Sequence, residues 1–221
     1  MLDLIAFDAD DTLWDNERLY TQSKEKFMDL LSECSDRAAS KRRLDEIEWY
    51  NVRYYGYGIK SFILSMVEAA LDITCETDDV TVARTISTIL GYAKEMLAAD
   101  VLLIDGAAET LASLAPRYPL MLITKGDPSE QQRKIDDSGL KQFFRWVEIV
   151  GEKTPAVYRT LLERYNILPE RFLMVGNSPR SDILPVLQIG GRAVQNPGRP
   201  FPQVKYRSKV VKPARSWSLS A

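Results

Sequence analysis

Residues 4–14 read Leu4-Ile5-Ala6-Phe7-Asp8-Ala9-Asp10-Asp11-Thr12-Leu13-Trp14, an apolar run that breaks abruptly into three acids. A short apolar run bounded by polar residues reads as a buried strand. Carboxylates placed directly at its end are electrostatically costly unless a cation or a substrate compensates them. On an extended chain residues i and i+2 share a face, so Asp8 and Asp10 are expected to point the same way. Two carboxylates with backbone oxygens beside them form a hard-oxygen site suited to Mg²⁺. The plain alternative, an acidic loop that merely ends a strand, loses ground as the rest of the chain is read.

Downstream of this stretch the pattern is helical to about residue 100. Apolar stripes recur at helix spacing through Tyr20, Phe27, Leu30, Leu31 and Cys34, then through Leu44, Ile47, Tyr50 and Tyr54. Two more run through Phe62, Ile63, Met66, Val67, Ala70 and Leu71, and through Val82, Ile86, Ile89, Leu90, Ala93 and Leu97. Four amphipathic helices in succession predict a small helical bundle over 15–100. After Asp100 strands and helices alternate. Leu120 to Ile123, Trp146 to Val150 and Arg171 to Val175 read as short strands, with helical patterns near 107–115, 128–138, 154–166 and 179–189. Such alternation predicts an α/β, Rossmann-like three-layer core with a parallel sheet over 1–14 and 101–221, carrying the four helices as an insertion. In these sheets ligands bind at the carboxyl ends of strands. The four predicted strand ends carry Asp8/Asp10, Thr124-Lys125, Lys153 and Asn177/Asp182. An insertion directly after the first strand is expected to lie over those ends as a cap.

Bulk properties narrow the chemistry. The 221 residues are 45% hydrophobic, enough for a substantial core, and 31 acids nearly balance 29 bases, which gives no pointer to nucleic acid. No acid follows Asp182 while seven Lys and Arg do, a tail read as a solvated face. Asn196 to Pro202, rich in Pro and Gly, reads as a surface loop. No apolar run approaches the ~20 residues of a membrane span. Cys34 and Cys75 lack metal-ligand spacing and read as reduced core thiols of a cytoplasmic protein, with no room for a signal peptide before the first strand. Histidine is absent. Ser-His-Asp and Cys-His hydrolysis and histidine-ligated zinc are therefore excluded, and acid–base work falls to carboxylate, Lys, Tyr or Cys.

A carboxylate can attack phosphorus and form an acyl phosphate. Asp8 is assigned as that nucleophile, and Asp10 as the group that protonates the leaving oxygen and then deprotonates the attacking water. Asp8, the Asp10 backbone carbonyl and an oxygen from Asn177 or Asp182 are the expected Mg²⁺ ligands. Thr124 can donate a hydrogen bond to the phosphoryl oxygens, while Lys153 can pair with Asp8 and with the same oxygens. Each of these also has a plain reading: Thr124 as turn chemistry, Lys153 as a residue before a helix start at Thr154-Pro155, Asn177-Ser178-Pro179 as a cap with Asp182 in the first turn. Their order and common position at strand ends favour the chemical reading.

Asp8-Ala9-Asp10-Asp11-Thr12, strand-terminal Thr124, Lys153 and Gly176-Asn177-(x)4-Asp182 together resemble the haloacid dehalogenase superfamily in order and spacing. The resemblance implies a Rossmann-like core with a helical cap, and Mg²⁺-dependent phosphoric monoester hydrolysis through an aspartyl-phosphate. Family members that dehalogenate organic acids lack the second acid of the first motif, so Asp10 favours the phosphatase branch. The fourth motif usually begins Gly-Asp, and Asn177 removes one negative charge there. In the predicted helical insertion, Tyr54-Tyr55-Gly56-Tyr57-Gly58-Ile59-Lys60 allows a turn that projects Tyr57 and Lys60 towards the site, where a ring and a cation would suit a small polar phosphoester. The competing reading packs Tyr50 and Tyr54 inside the bundle. A phosphoryl-transferring mutase and a catalytically weak phosphate-binding protein remain the alternatives to a phosphatase.

Overall fold

The computed structural model describes residues 2–74 and 78–196. Five parallel strands form one sheet: β1 (Leu4–Phe7), β2 (Leu120–Lys125), β3 (Trp146–Val150), β4 (Phe172–Gly176) and β5 (Arg192–Gln195), in the spatial order β3-β2-β1-β4-β5. β1 therefore sits at the centre, with the chain progressing outward on one side and then on the other. That reversal between β1 and β4 opens the crevice in which sheets of this kind bind ligands.

Both faces of β1 are covered, which is why it reads as a continuous apolar run rather than an alternating one. Ile5 and Phe7 pack with Leu120 and Leu122 against Leu111 of α5 (Ala107–Leu114) and Ile135 of α6 (Pro128–Asp137). Leu4 and Ala6 pack with Met121, Phe172 and Met174 against Tyr158 and Leu161 of α7 (Pro155–Arg164) and Val186 of α8 (Leu184–Gln188). This is the α/β three-layer core expected from the sequence.

Between β1 and β2 the chain forms α1 (Glu17–Leu30), α2 (Arg37–Tyr55), α3 (Ile59–Ile73) and α4 (Asp79–Ala98), with a separate core of Phe27, Leu31, Leu44, Phe62, Met66 and Ile89. Several expectations need correction. Tyr50 and Tyr54 do not pack in the bundle; both are exposed on α2, where their hydroxyls meet each other and Arg53 lies over the Tyr50 ring. Leu71 and Leu90 also face solvent, because each helix buries only one stripe. Cys34 lies beyond the end of α1 in the following turn and is exposed, so it is no core thiol. Cys75, most of the 196–202 loop and most of the basic tail lie outside the described residues.

The core elements also differ in detail. The fourth strand extends to Gly176, and the 179–189 helix begins as a wide π-type turn, Pro179–Ile183, before α8. β5 went unread: it is four residues long and mostly exposed at the sheet edge, so it lacks the apolar pattern. Among the described residues no helix is long and apolar enough to cross a membrane.

Candidate active site

The carboxyl ends of β1, β2, β3 and β4 open into a cavity of about 310 Å³. Asp8, Asp10, Thr124, Lys125, Lys153, Asn177 and Asp182 line it from the sheet side, Tyr20 and Phe62 line it from α1 and α3, and Tyr57 lines it from the turn between α2 and α3.

At the floor Lys153 Nζ donates to Asp8 Oδ1 and, at 2.7 Å, to Asp182 Oδ1. All three side chains are nearly inaccessible. Each is held there by local backbone structure. The Asp8 N–H donates to the Val175 carbonyl, pinning the end of β1 to β4. Lys153 precedes Thr154, whose hydroxyl accepts from the Val157 N–H and so starts α7 before Pro155. Asp182 hangs from the wide turn, and its Oδ2 accepts the Ser178 N–H at 2.9 Å. Gly176 makes that approach possible: a Cβ there would lie 2.4 Å from the Asp182 carboxyl carbon.

Two buried carboxylates thus share one ammonium. Burial pushes Asp8 up to about 6, against the pull of Lys153 and with added repulsion from Asp182. Burial by itself would lower Lys153, but the charges of Asp8 and Asp182 outweigh it and hold its pKa up. A further cation would relieve the surplus negative charge, and the donors that line the floor (Asp8, Asp182 and the Asn177 amide) include hard oxygens that fit a divalent cation such as Mg²⁺. Among the described residues no group of three acidic, His or Cys side chains converges as a metal cluster. Neutral oxygens would have to complete a coordination shell.

Asp8 and Asp10 both line the cavity, just beyond the end of β1 at Phe7, but they take different partners. Asp8 Oδ2 accepts from the Thr12 hydroxyl, while the Asp10 carboxylate accepts from Trp14 Nε1 (2.7 Å), Gln131 Nε2 (2.8 Å) and Lys134 Nζ (2.7 and 2.9 Å). The third acid is structural: Asp11 Oδ1 accepts the N–H groups of Asn16 and Glu17 at the start of α1.

Thr124 is buried and its hydroxyl donates to Gln131 Oε1 at 3.3 Å. Lys125 Nζ sits 3.8 Å from the centre of the Tyr57 ring, and burial lowers its pKa. Tyr57 and Lys125 therefore meet across the cavity. Lys60 does not join them. It pairs with Asp127 (2.9 Å) and Ser129 (3.1 Å) at the start of α6, outside the cavity lining. Sequence reasoning missed Gln131, Lys134 and Glu130. All three are buried polar residues on α6, and only their i, i+3, i+4 spacing on a helix following Thr124 could have marked them.

A family model described as haloacid dehalogenase-like hydrolase matches residues 2–190. The chain belongs to that family. Among solved structures, a haloacid dehalogenase-like family hydrolase from Xanthomonas campestris is 38% identical, with a TM-score of 0.84 over 91% of this chain and 84% of its own. Two curated relatives match shorter stretches. Glyceraldehyde 3-phosphate phosphatase of Pyrococcus furiosus is 33% identical over 97 residues, 41% of this chain and 40% of its own. Phosphoserine phosphatase of Thermus thermophilus is 34% identical over 80 residues, 34% of this chain and 32% of its own. The matches to the curated relatives thus span less than half of either protein, and the chain shares its overall architecture with the Xanthomonas structure.

Proposed function

We propose that this hydrolase is a Mg²⁺-dependent phosphatase that acts on a small phosphorylated metabolite through an aspartyl-phosphate on Asp8. One observation carries the reading: a buried carboxylate, Asp8, stands at the centre of the sheet beside an ammonium, Lys153, at the floor of a cavity that also holds Thr124 and Lys125. Both curated relatives bear the names of phosphatases of small phosphorylated molecules, which supports the same class of substrate here.

Asp8 attacks phosphorus, the P–O ester bond breaks, and the departing oxygen takes a proton from Asp10. A water then attacks the phosphorus of the acyl phosphate, giving its proton to Asp10 and freeing Asp8 and inorganic phosphate. Lys153 and the Thr124 hydroxyl neutralise the phosphoryl oxygens, with Lys125 at the mouth. Asp8, the Asp10 backbone carbonyl and Asn177 or Asp182 would hold Mg²⁺, which when bound supplies further charge neutralisation at those oxygens. Helices α1–α4 act as a cap that chooses the substrate, with Tyr57 facing Lys125 over the phosphate end. The second acid, Asp10, again favours the phosphatase over the dehalogenase branch.

The test is release of phosphate from an aryl ester with and without Mg²⁺, for wild type and Asp8→Asn. Magnesium-dependent release that falls by at least about 10⁴-fold in the variant is expected, the scale of losing a nucleophile. Retained turnover in Asp8→Asn would sink the covalent mechanism.

A further inference from the structure

Helix α6 carries two buried charges that the scheme above leaves without a task. Lys134 Nζ donates to both oxygens of Asp10 and, at 3.3 Å, to Asn16 Oδ1. One turn earlier, Glu130 is just as buried; its Oε1 lies 3.6 Å from Lys134 Nζ and accepts no hydrogen bond. A buried ammonium and a buried carboxylate so placed compensate each other, and neither tolerates loss of its partner.

Glu130 reaches the cap as well. Its Oε2 accepts the Ile59 backbone N–H at 2.9 Å, one of the donors that the first turn of α3 leaves unsatisfied. The approach is close because the preceding residue is Gly58, at a φ of 124°, where a Cβ would lie 3.0 Å from that oxygen. Continuous contacts therefore run from the cap backbone through Glu130 and Lys134 to the Asp10 carboxylate. Without Lys134, Asp10 would keep, among the described side chains, only the neutral donors Trp14 and Gln131.

We propose that Lys134 is a positioning residue for Asp10 and that Glu130 ties this positioning to the seating of the cap. The role of Asp10 as proton donor rests on the phosphatase reading; the coupling of α6 to α3 does not.

Leaving-group dependence tests the first half, because a good leaving group departs without a proton whereas a poor one needs it. Lys134→Met is expected to lose about 100-fold in kcat/KM, which reports the step in which the leaving group departs, for phenyl phosphate and no more than about threefold for 2,4-dinitrophenyl phosphate, with Lys134→Arg restoring most of the loss. An equal change for the two esters, or none for either, overturns the assignment. Should Lys134→Met fail to fold, the double variant Glu130→Gln/Lys134→Met removes both charges together and carries the same expectation. Amide hydrogen exchange tests the second half without substrate or metal. Protection of the Ile59 N–H should fall in Glu130→Ala and in Lys134→Met, and unchanged protection overturns the coupling. If wild type hydrolyses neither ester, the phosphatase reading fails, and the exchange result still decides whether α6 holds the cap.

Discussion

Asp8 stores a destabilising charge, because it shares a single ammonium with Asp182. Its folded pKa, about 6, lies above the ordinary 3.8, so between those values the folded state holds the proton more tightly than the unfolded one. Stability from this group is then fully present below about pH 4 and is lost as the pH rises through about 6. Metal-free Asp8→Asn should therefore melt higher than wild type at pH 7.5, by the equivalent of about 1–3 kcal/mol, with the gap closing towards pH 4. Thermal melts in chelator across that range check it; an unchanged or lower midpoint at pH 7.5 would show Lys153 to satisfy both carboxylates. At this scale the sequence was partly legible. Asp8, Thr124, Lys153 and Asp182 were recognisable from type and strand-end position, and all line one cavity. The partners of the Asp10 carboxylate were not, because Gln131 and Lys134 lie on α6, more than a hundred residues away.

The four strand ends place the site only because each following turn is built to present one side chain. At the end of β4 that presentation depends on an absence. Gly176 leaves the space that the Asp182 carboxylate fills, and the wide turn Pro179–Ile183 returns Asp182 over it. Gly176→Ala should push Asp182 off Lys153, costing about 2–4 kcal/mol of stability and most of the activity. Chemical denaturation beside an activity assay would register it, and a variant as stable and active as wild type would mean that Asp182 can move without consequence. Element types were readable from periodicity over most of the chain, including the boundaries of β3. Failures fell where the elements are short or irregular: β5 at the sheet edge, and the π-type turn that a helical stripe cannot distinguish from an ordinary helix start.

At the scale of the whole molecule, the described residues form three hydrophobic cores, one on each face of the sheet and one in the helical insertion, and a polar cavity is lined from both the sheet and the insertion. A ligand that bridges surplus carboxylates there should stabilise the entire fold by mass action. Saturating Mg²⁺, near 100 times its dissociation constant, is expected to add about 2.7 kcal/mol to wild type and much less to Asp8→Asn. Asn177→Asp should lower the metal-free midpoint, through repulsion from Asp8 and Asp182, and tighten Mg²⁺ about tenfold, since affinity at hard-oxygen sites follows ligand charge. Differential scanning calorimetry with a Mg²⁺ titration reads both. A titration unchanged by Asn177→Asp would assign the metal contact to Asp182 alone.

The sequence by itself determined the order along the chain of the first four strands and the helices, the parallel sheet, the place of the helical insertion and the residue types at each of those strand ends. Those follow from periodicity and from the cost of placing charge beside an apolar strand, both of which are local. Only the tertiary structure decided which partners the charges take: Lys60 with Asp127, Asp10 with Lys134, Glu130 with the Ile59 amide, and Tyr50 and Tyr54 on the solvent side of α2. Ion pairs and helix faces depend on what packs opposite, and that is settled by contacts between residues far apart in the chain.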